Sequence, residues 1–250
     1  MKLKIINSNS RGNAYILESN TESLLIECGV RFDLIKQALH FNLGTVVGCL
    51  VTHEHGDHCK GIYELTHSGI NVYATSGTCE MLVNKWKANP HRIHPRHTEL
   101  PFSLGSFRII PFKTIHDTKE PCGFLVHHPD CGVVLFLTDT VFSPYTFKGL
   151  NQVIVEANYC EEILEEKRQA GATIEMLRDR VIESHMSLQN CKDLLRANDL
   201  SQVQNIVLIH LSDSHSHAVR FKAEVEQVTG RTVHIADKDM IIEHFDKTPF

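Results

Sequence analysis

Three histidines and two acids crowd into six residues of the stretch Val51-Thr-His-Glu-His-Gly-Asp-His-Cys-Lys-Gly61. His53, His55, Asp57 and His58 make the pattern H-x-H-x-D-H. Imidazole nitrogens and carboxylate oxygens are ligands for zinc and its divalent neighbours, with bonds of about 2.0–2.2 Å to zinc. In an extended segment side chains two apart point the same way, so His53 and His55 can pinch one ion. Gly56 is expected to turn the chain sharply. Asp57 and His58 can then aim at a second ion a few ångströms away. A closed structural zinc site has four ligands, often thiolates, whereas this imidazole-and-carboxylate set invites an open catalytic site.

Two ions need more ligands, and three candidates sit where apolar runs end. His116 follows the strand-like Phe107–Pro111, Asp139 follows Val133–Leu137, and His210 follows Ile206–Ile209. A lone acid ending a hydrophobic strand is costly unless something compensates its charge. Carboxylate oxygens can bridge two cations, which gives Asp139 a place between them. His40, His67, His91, His94, His97, His127, His128, His234 and His244 stand in no ligand-like pattern and are expected at surface or structural positions.

Strands must deliver these residues. Alternation predicts strands over Lys2–Ile6, Ala14–Leu17 and Leu24–Glu27, the last two joined by the turn-rich Ser19-Asn-Thr-Glu22. Phe32, Ile35 and Leu39 recur at helical spacing. The apolar run Thr45–Val51 is a strand that carries the histidine cluster at its carboxyl end. A short helix at Ile62 and Leu65, a strand at Asn71–Ala74 and a helix over Thr78–Trp86 follow. Further strands are predicted at Phe107–Pro111, Gly123–His127, Val133–Leu137, Gln152–Glu156 and Gln204–Leu211, with Thr232–Ile235 closing the fold. Helical faces are marked by Ile174, Leu177 and Val181; by Leu188, Cys191 and Leu195, with Ser187 as N-cap; and by Ala218, Phe221, Val225 and Val228. Strands buried on both faces, with helices interleaved, predict one mixed α/β domain over residues 1–250, built of two helix-covered sheets.

Composition narrows the function classes. With 42% hydrophobic and 22% charged residues, the 250-residue chain reads as an ordinary globule. A net charge of −5 gives no general electrostatic case for nucleic acid, although a local basic groove is compatible with it. The eight cysteines are scattered without a CxxC pair. With no readable signal peptide and no apolar run near the roughly 20 residues of a membrane helix, reduced thiols, a cytoplasmic location and no membrane association are expected. Oligomeric state is not legible.

At this point the chain resembles the metallo-β-lactamase superfamily, whose fold is a four-layer αββα sandwich. The five signature regions occur in order: H-x-H-x-D-H, then His116, Asp139, His185 and His210. Asn9-Ser-Arg-Gly-Asn-Ala-Tyr-Ile-Leu17, Leu24-Leu-Ile-Glu-Cys-Gly29, Ile115-His-Asp117, Pro121-Cys-Gly-Phe124, Leu137-Thr-Asp-Thr140, Glu156-Ala-Asn-Tyr159 and Ser184-His-Met-Ser187 are similar to the YycJ/WalJ-type branch, related to ribonuclease Z and similar phosphodiesterases. The likeness spans residues 5–240. The chain departs from the branch at Arg11, where a serine is usual, and at Asp213-Ser-His-Ser-His217, where an asparagine-containing stretch is usual. It carries no long protruding arm of the ribonuclease Z kind. These departures bear on the substrate, not on the metal core.

The resemblance implies that His53, His55 and His116 hold one ion, that Asp57, His58 and His210 hold the second, and that Asp139 bridges them. Zinc is the first expectation for both ions, with manganese or iron as alternatives. A metal-bridging hydroxide would then attack a phosphodiester. Asp57 is expected also to orient the nucleophile, and His185 to act on the leaving or non-bridging oxygen. Asp117, Glu156 and Asn158 are candidate acceptors behind the imidazoles. His215 and His217 are candidates for touching substrate, whereas Cys28 has no histidine partner in its local sequence and is not expected to be a nucleophile. The expected activity is that of a phosphodiesterase or nuclease on nucleic acid or a nucleotide-like ester. The alternatives are hydrolysis of a lactone, thioester or β-lactam, and a metal-binding module without turnover.

Overall fold

β3 (Ser23–Ile26) is apolar on both faces, and each face meets a different core. Leu24 and Ile26 join one buried cluster, while Leu25 between them joins another. β2 (Gly12–Glu18) repeats the division, with Tyr15 and Leu17 on one side and Ala14 and Ile16 on the other. Successive side chains of a strand point to opposite faces, so a strand without polar residues must be covered twice. The computed structural model, which describes residues 1–171 and 175–248, shows how.

The first sheet also contains β1 (Lys2–Asn9), β4 (Val46–Leu50), β5 (Val72–Ala74), β6 (Ile93–Pro95) and β14 (Met240–Ile242), in the order β14-β1-β2-β3-β4-β5-β6. The second contains β7 (Phe102–Leu104), β8 (Phe107–Lys113), β9 (Cys122–His128), β10 (Gly132–Leu137), β11 (Leu150–Glu156), β12 (Asn205–Ile209) and β13 (Thr232–Ile235), in the order β13-β12-β11-β10-β9-β8-β7. In each sheet one half is antiparallel and the other parallel: β3 to β6 run together in the first, β10 to β13 in the second.

The inner faces bury Leu3, Ile5, Tyr15, Phe124, Val134, Phe136 and Ile154 between the sheets. Outside the first sheet lie α1 (Phe32–Ala38), the single turn α2 (Gly56–Cys59), α3 (Ile62–His67) and α4 (Ser76–Asn84), closing the core around Ile16, Leu25, Ile35 and Leu65. Outside the second lie α7 (Leu188–Arg196) and α8 (Ala218–Thr229), over Val153, Val155, Cys191, Phe221 and Val225. α5 (Glu161–Gln169) and α6 (Glu175–Ser184) complete the element order. This is the αββα sandwich expected from the sequence. All eight cysteines are free and buried. No helix among the described residues is long and apolar enough to cross a membrane.

Several local expectations change. Thr232–Ile235 is not the last strand, since β14 follows and pairs antiparallel with β1 in the other sheet. Its three residues are too few for alternation to show. β6 and β7 are equally short edge strands. Six of the nine residues of α5 are charged and Leu164 alone is buried, so it lacks the apolar stripe that reveals a helix. Ala218 is exposed, leaving Phe221 and Val225 to anchor α8. Ile174 lies outside the described residues. Ser187 does cap α7, accepting from the Asn190 N–H at 3.1 Å.

Candidate metal centre

The sequence-predicted ligands are carried to one rim by strand ends. The chain leaves β4 through Val51 and Thr52 to reach His53, and α2 presents Asp57 and His58 on its single turn. His116 lies three residues beyond β8, Asp139 two beyond β10, and His210 directly after β12. Glu156 ends β11, and His185 directly follows α6. The carboxyl ends of parallel strands are where open α/β sheets place ligands.

Holding these residues strains the backbone. Glu27, Asp139 and His210 have φ of 65°, 47° and 54°, the left-handed region that non-glycine residues avoid. Such conformations cost on the order of 1–3 kcal/mol each and persist only where their surroundings impose them. Gly29 supplies another constraint, because a Cβ there would lie 1.6 Å from the Asp57 carbonyl oxygen. Gly56 does not play the turning part expected of it. It opens the helical turn without a left-handed φ, and a Cβ there would come within 3.1 Å of the Trp86 ring.

One nitrogen each from His53, His55 and His116 converge within 4.8 Å of one another. The Nδ1–H of His116 donates to the Ser184 carbonyl at 2.8 Å, which leaves a lone pair on its Nε2, 3.0 Å from His55 Nδ1. Asp57, His58 and His210 form a second group at the same spacing. Nε2 of His210 lies 3.2 Å from Asp57 Oδ2, and Nε2 of His58 lies 3.5 Å from it. Asp139 stands between the groups: Oδ2 is 2.7 Å from His58 Nε2 and 3.8 Å from His53 Nε2, and Oδ1 is 3.8 Å from His210 Nε2. All seven side chains thus meet, and six of them line or adjoin a cleft of about 530 Å³ whose wall also includes His185.

Behind this ring stands a second layer of acceptors. Glu156 is fully buried; its Oε1 accepts from His185 Nδ1 at 2.7 Å and its Oε2 takes the Met186 N–H at 3.1 Å. His185 Nδ1 is also 2.9 Å from Asp139 Oδ1. Asp117 is not behind the ring as expected: it lines the cleft, with Oδ1 3.3 Å from His116 Nε2, while the Ser184 carbonyl takes the opposite nitrogen. Asn158 does not act as the acceptor expected of it: its amide nitrogen donates to the His210 carbonyl at 2.8 Å and lies 3.0 Å from that ring's Nδ1.

Glu27 was given no role from the residues themselves. It is fully buried, accepts the Thr52 N–H at 3.2 Å and places Oε1 3.5 Å from His58 Nδ1. The sign that singled out Asp139, an acid ending an apolar strand, applies equally to Glu27 after Leu24-Leu-Ile26. Glu54, another buried acid without an assigned role, accepts the Lys119 N–H at 2.8 Å and so ties the cluster to the loop that carries His116.

Electrostatics define what the site lacks. Burial pushes the Asp139 carboxyl up, but the imidazoles of His210 and His58 outweigh it and hold the group well below the usual carboxylate range. Asp57 is held low in the same way, against burial, by hydrogen bonds from His210 and His58. Burial lowers His58 and His210, yet Asp139 above all raises both over the ordinary imidazole value. His185, also lowered by burial, is pushed up to about 11 by Glu156 and Asp139. His53 has no such compensation and, through burial first, is held well below its ordinary value, a neutral ring with a lone pair to give.

The buried carboxylates therefore draw positive charge into the site, while His53 Nε2 is buried without a hydrogen bond. His116 Nε2 and His55 Nδ1 face each other at 3.0 Å. Divalent metal fits this donor set, which is all imidazole and carboxylate with no thiolate.

The remaining candidates separate. His215 is buried against the cleft, whereas His217 caps α8, its Nδ1 accepting from the Arg220 N–H at 3.2 Å. Cys28 is fully buried, and the Cys49 thiol beside it together with burial pushes its thiol well above the ordinary value, so it is no nucleophile. Arg11 and Asp213, from the two stretches that depart from the YycJ/WalJ pattern, face each other across the rim at 3.4 Å.

Comparison with known proteins agrees with this geometry. Residues 23–211 match the beta-lactamase superfamily domain. The chain is 27% identical over 247 residues to exodeoxyribonuclease YycJ of Bacillus anthracis, covering 91% of this chain and 89% of that protein. It is 26% identical over 228 residues to exodeoxyribonuclease WalJ of Streptococcus pneumoniae strain D39, covering 86% and 83%. Among solved structures, the metallo-beta-lactamase fold protein YhfI of Bacillus subtilis superposes with a TM-score of 0.68 at 17% identity, covering 97% of this chain and 99% of that one.

Proposed function

The chain belongs to the beta-lactamase superfamily, and on that footing we propose that it is a metal-dependent phosphodiesterase, a nuclease acting on nucleic acid or a nucleotide-like ester, with residues 1–250 forming one domain. The observation that carries this reading is the convergence of His53, His55, Asp57, His58, His116, Asp139 and His210 on one cleft with His185 in its wall. His53, His55 and His116 would hold one ion, Asp57, His58 and His210 the other, and Asp139 would touch both. Such ions would supply Lewis acidity, making a bound water more acidic and offsetting charge on the oxygens of a displacement. Zinc suits the donors first, manganese and iron next.

The chain's own residues supply orientation and a proton. Glu156 and Asp139 both face His185 Nδ1 and favour the cationic ring, whose opposite nitrogen then carries a proton at the cleft wall. An imidazolium there can donate to the leaving oxygen or clamp a non-bridging one. Asp57 is 24% exposed against 2% for Asp139, and its place in the cleft lining suits it to orient the attacking water. His55 and Asp57 face the opening, while His53, His58 and Asp139 lie beneath it.

This reading favours phosphodiesters over a lactone, thioester or β-lactam because it needs a charged donor opposite the metals, and His185 held by Glu156 is such a group. The curated relatives support a nuclease and, with it, a cytoplasmic location. Hydrolysis of bis-p-nitrophenyl phosphate with added Zn²⁺ or Mn²⁺ tests it against a panel of a lactone, a thioester and a β-lactam. Turnover confined to the panel overturns the phosphodiesterase reading, and no turnover of any ester at full metal loading leaves a binding module.

A further inference from the structure

Two grooves of opposite character lie near the metal cleft. On the α6 side a hollow of about 730 Å³ is lined by Asp117, Glu175, Asp179 and Glu183 against the single cation Arg180. On the other side a groove of about 630 Å³ between α1 and α3 carries Arg31, Lys36 and Lys60 against Asp33 and Glu64. A polyanion is repelled along the first path and accepted along the second.

The basic groove is linked to the metal cleft through Lys60 and Arg11. Lys60 immediately follows the turn that bears Asp57 and His58, and its Nζ donates to the Arg11 carbonyl. Ser10, next to Arg11, lines the metal cleft itself. Three residues past Lys60, Tyr63 is 50% exposed and stacks on His67, with ring centroids 4.1 Å apart and planes inclined by 28°. The i, i+4 spacing on α3 fixes this pair, and the His67 Nδ1–Tyr63 carbonyl contact of 2.8 Å holds the second ring in place. An exposed, braced aromatic flanked by cations is what an unpaired base and its phosphates require. Lys36 is paired with Asp33, 2.8 Å away, and Lys60 gives one of its three N–H donors to the Arg11 carbonyl, so Arg31 and the remaining donors of Lys60 are offered to a phosphate.

We propose that the α1–α3 groove is the docking track for a single-stranded polynucleotide, with a base stacked on Tyr63 and backbone phosphates on Arg31 and Lys60. The proposal rests on the phosphodiesterase reading for its ligand class but on separate residues. Paired bases would not stack on Tyr63, so duplex of the same length binds more weakly. Ribose and deoxyribose strands share the phosphate and base chemistry the groove reads, and the two are compared directly.

Binding of fluorescein-labelled twenty-nucleotide oligothymidylate, oligouridylate and a duplex to the metal-loaded protein, read by stopped-flow anisotropy before turnover, tests this. Tyr63→Ala is expected to weaken single-strand binding roughly five- to a hundredfold without changing the salt dependence. Arg31→Ala is expected to lower the slope of log affinity against log salt by about 0.7, the loss of one phosphate contact on a single strand. Both positions are exposed, and thermal unfolding verifies that neither variant alters the fold. Wild-type protein that binds no single strand, or variants that bind it as wild type does, overturn the docking track. Bis-p-nitrophenyl phosphate turnover by the wild type reports separately on the phosphodiesterase reading. A protein that binds strands through Tyr63 and Arg31 yet hydrolyses no phosphodiester keeps the track and loses the activity.

Discussion

His185 and Glu156 form a buried couple: the carboxylate accepts from the ring's Nδ1 at 2.7 Å, and Glu156 has no exposed surface. The carboxylate also receives the Met186 N–H, so the ring and the backbone that carries it are fixed by one acid. His185→Ala should keep two ions per chain, because the ring belongs to neither proposed triad, while turnover of a phosphodiester falls by about 10²–10⁴-fold. Elemental analysis and steady-state kinetics on the same preparation decide it. Lost metal would make the residue a ligand, and unchanged turnover would remove it from the chemistry.

Metal removal should cost stability as well as activity. A ligand present at a hundred times its dissociation constant adds about 2.7 kcal/mol to the folded state. Each kcal/mol moves the melting temperature by about 2–4 °C for chains of 150–250 residues. Chelation is therefore expected to lower the melting temperature by roughly 5–10 °C for one ion and about twice that for two, and Asp139→Ala to abolish most of the difference. A chelator-insensitive melting curve for the wild type would contradict a metal centre here.

Glu27 acts through His58, from which its Oε1 is 3.5 Å away, and through the Thr52 N–H. Glu27→Gln keeps the shape and an amide oxygen but removes the charge behind the ring. Metal affinity is expected to drop by about 10–100-fold with the fold retained. Competition with a chromophoric chelator reads the change, and an affinity equal to wild type would reduce Glu27 to a structural acceptor.

Gly29→Ala should disturb the centre although Gly29 touches no ligand nitrogen. The added Cβ would sit 1.6 Å from the Asp57 carbonyl oxygen and 2.1 Å from its carbon, so backbone must give way. A loss of about 1–3 kcal/mol of stability and substoichiometric metal are expected. Gly44→Ala is the control: the nearest atom to its Cβ would be Asn42 Oδ1 at 3.4 Å, an ordinary contact. Equal melting temperatures and metal contents in the two variants would count against this packing.

Sequence alone determined what local chemistry can encode. The H-x-H-x-D-H spacing placed four donors within six residues, and apolar runs followed by His116, Asp139 and His210 marked three more. Unbroken apolar strands implied two covered sheets, since a strand's period of two sends neighbours to opposite faces. Tertiary structure decided which strand ends meet. It put Asp139 between the two histidine groups, gave Glu27 a role that its identical position after an apolar strand had offered unnoticed, and sent His215 to the cleft while His217 capped a helix. It also returned β14 across the molecule to β1 and brought Arg11 against Asp213, residues 202 apart in the chain. The physical reason is the range of the forces involved. Side-chain periodicity and capping act over a few residues, whereas the convergence of distant strand ends follows from burying three separate apolar cores at once, a condition no single stretch of sequence contains.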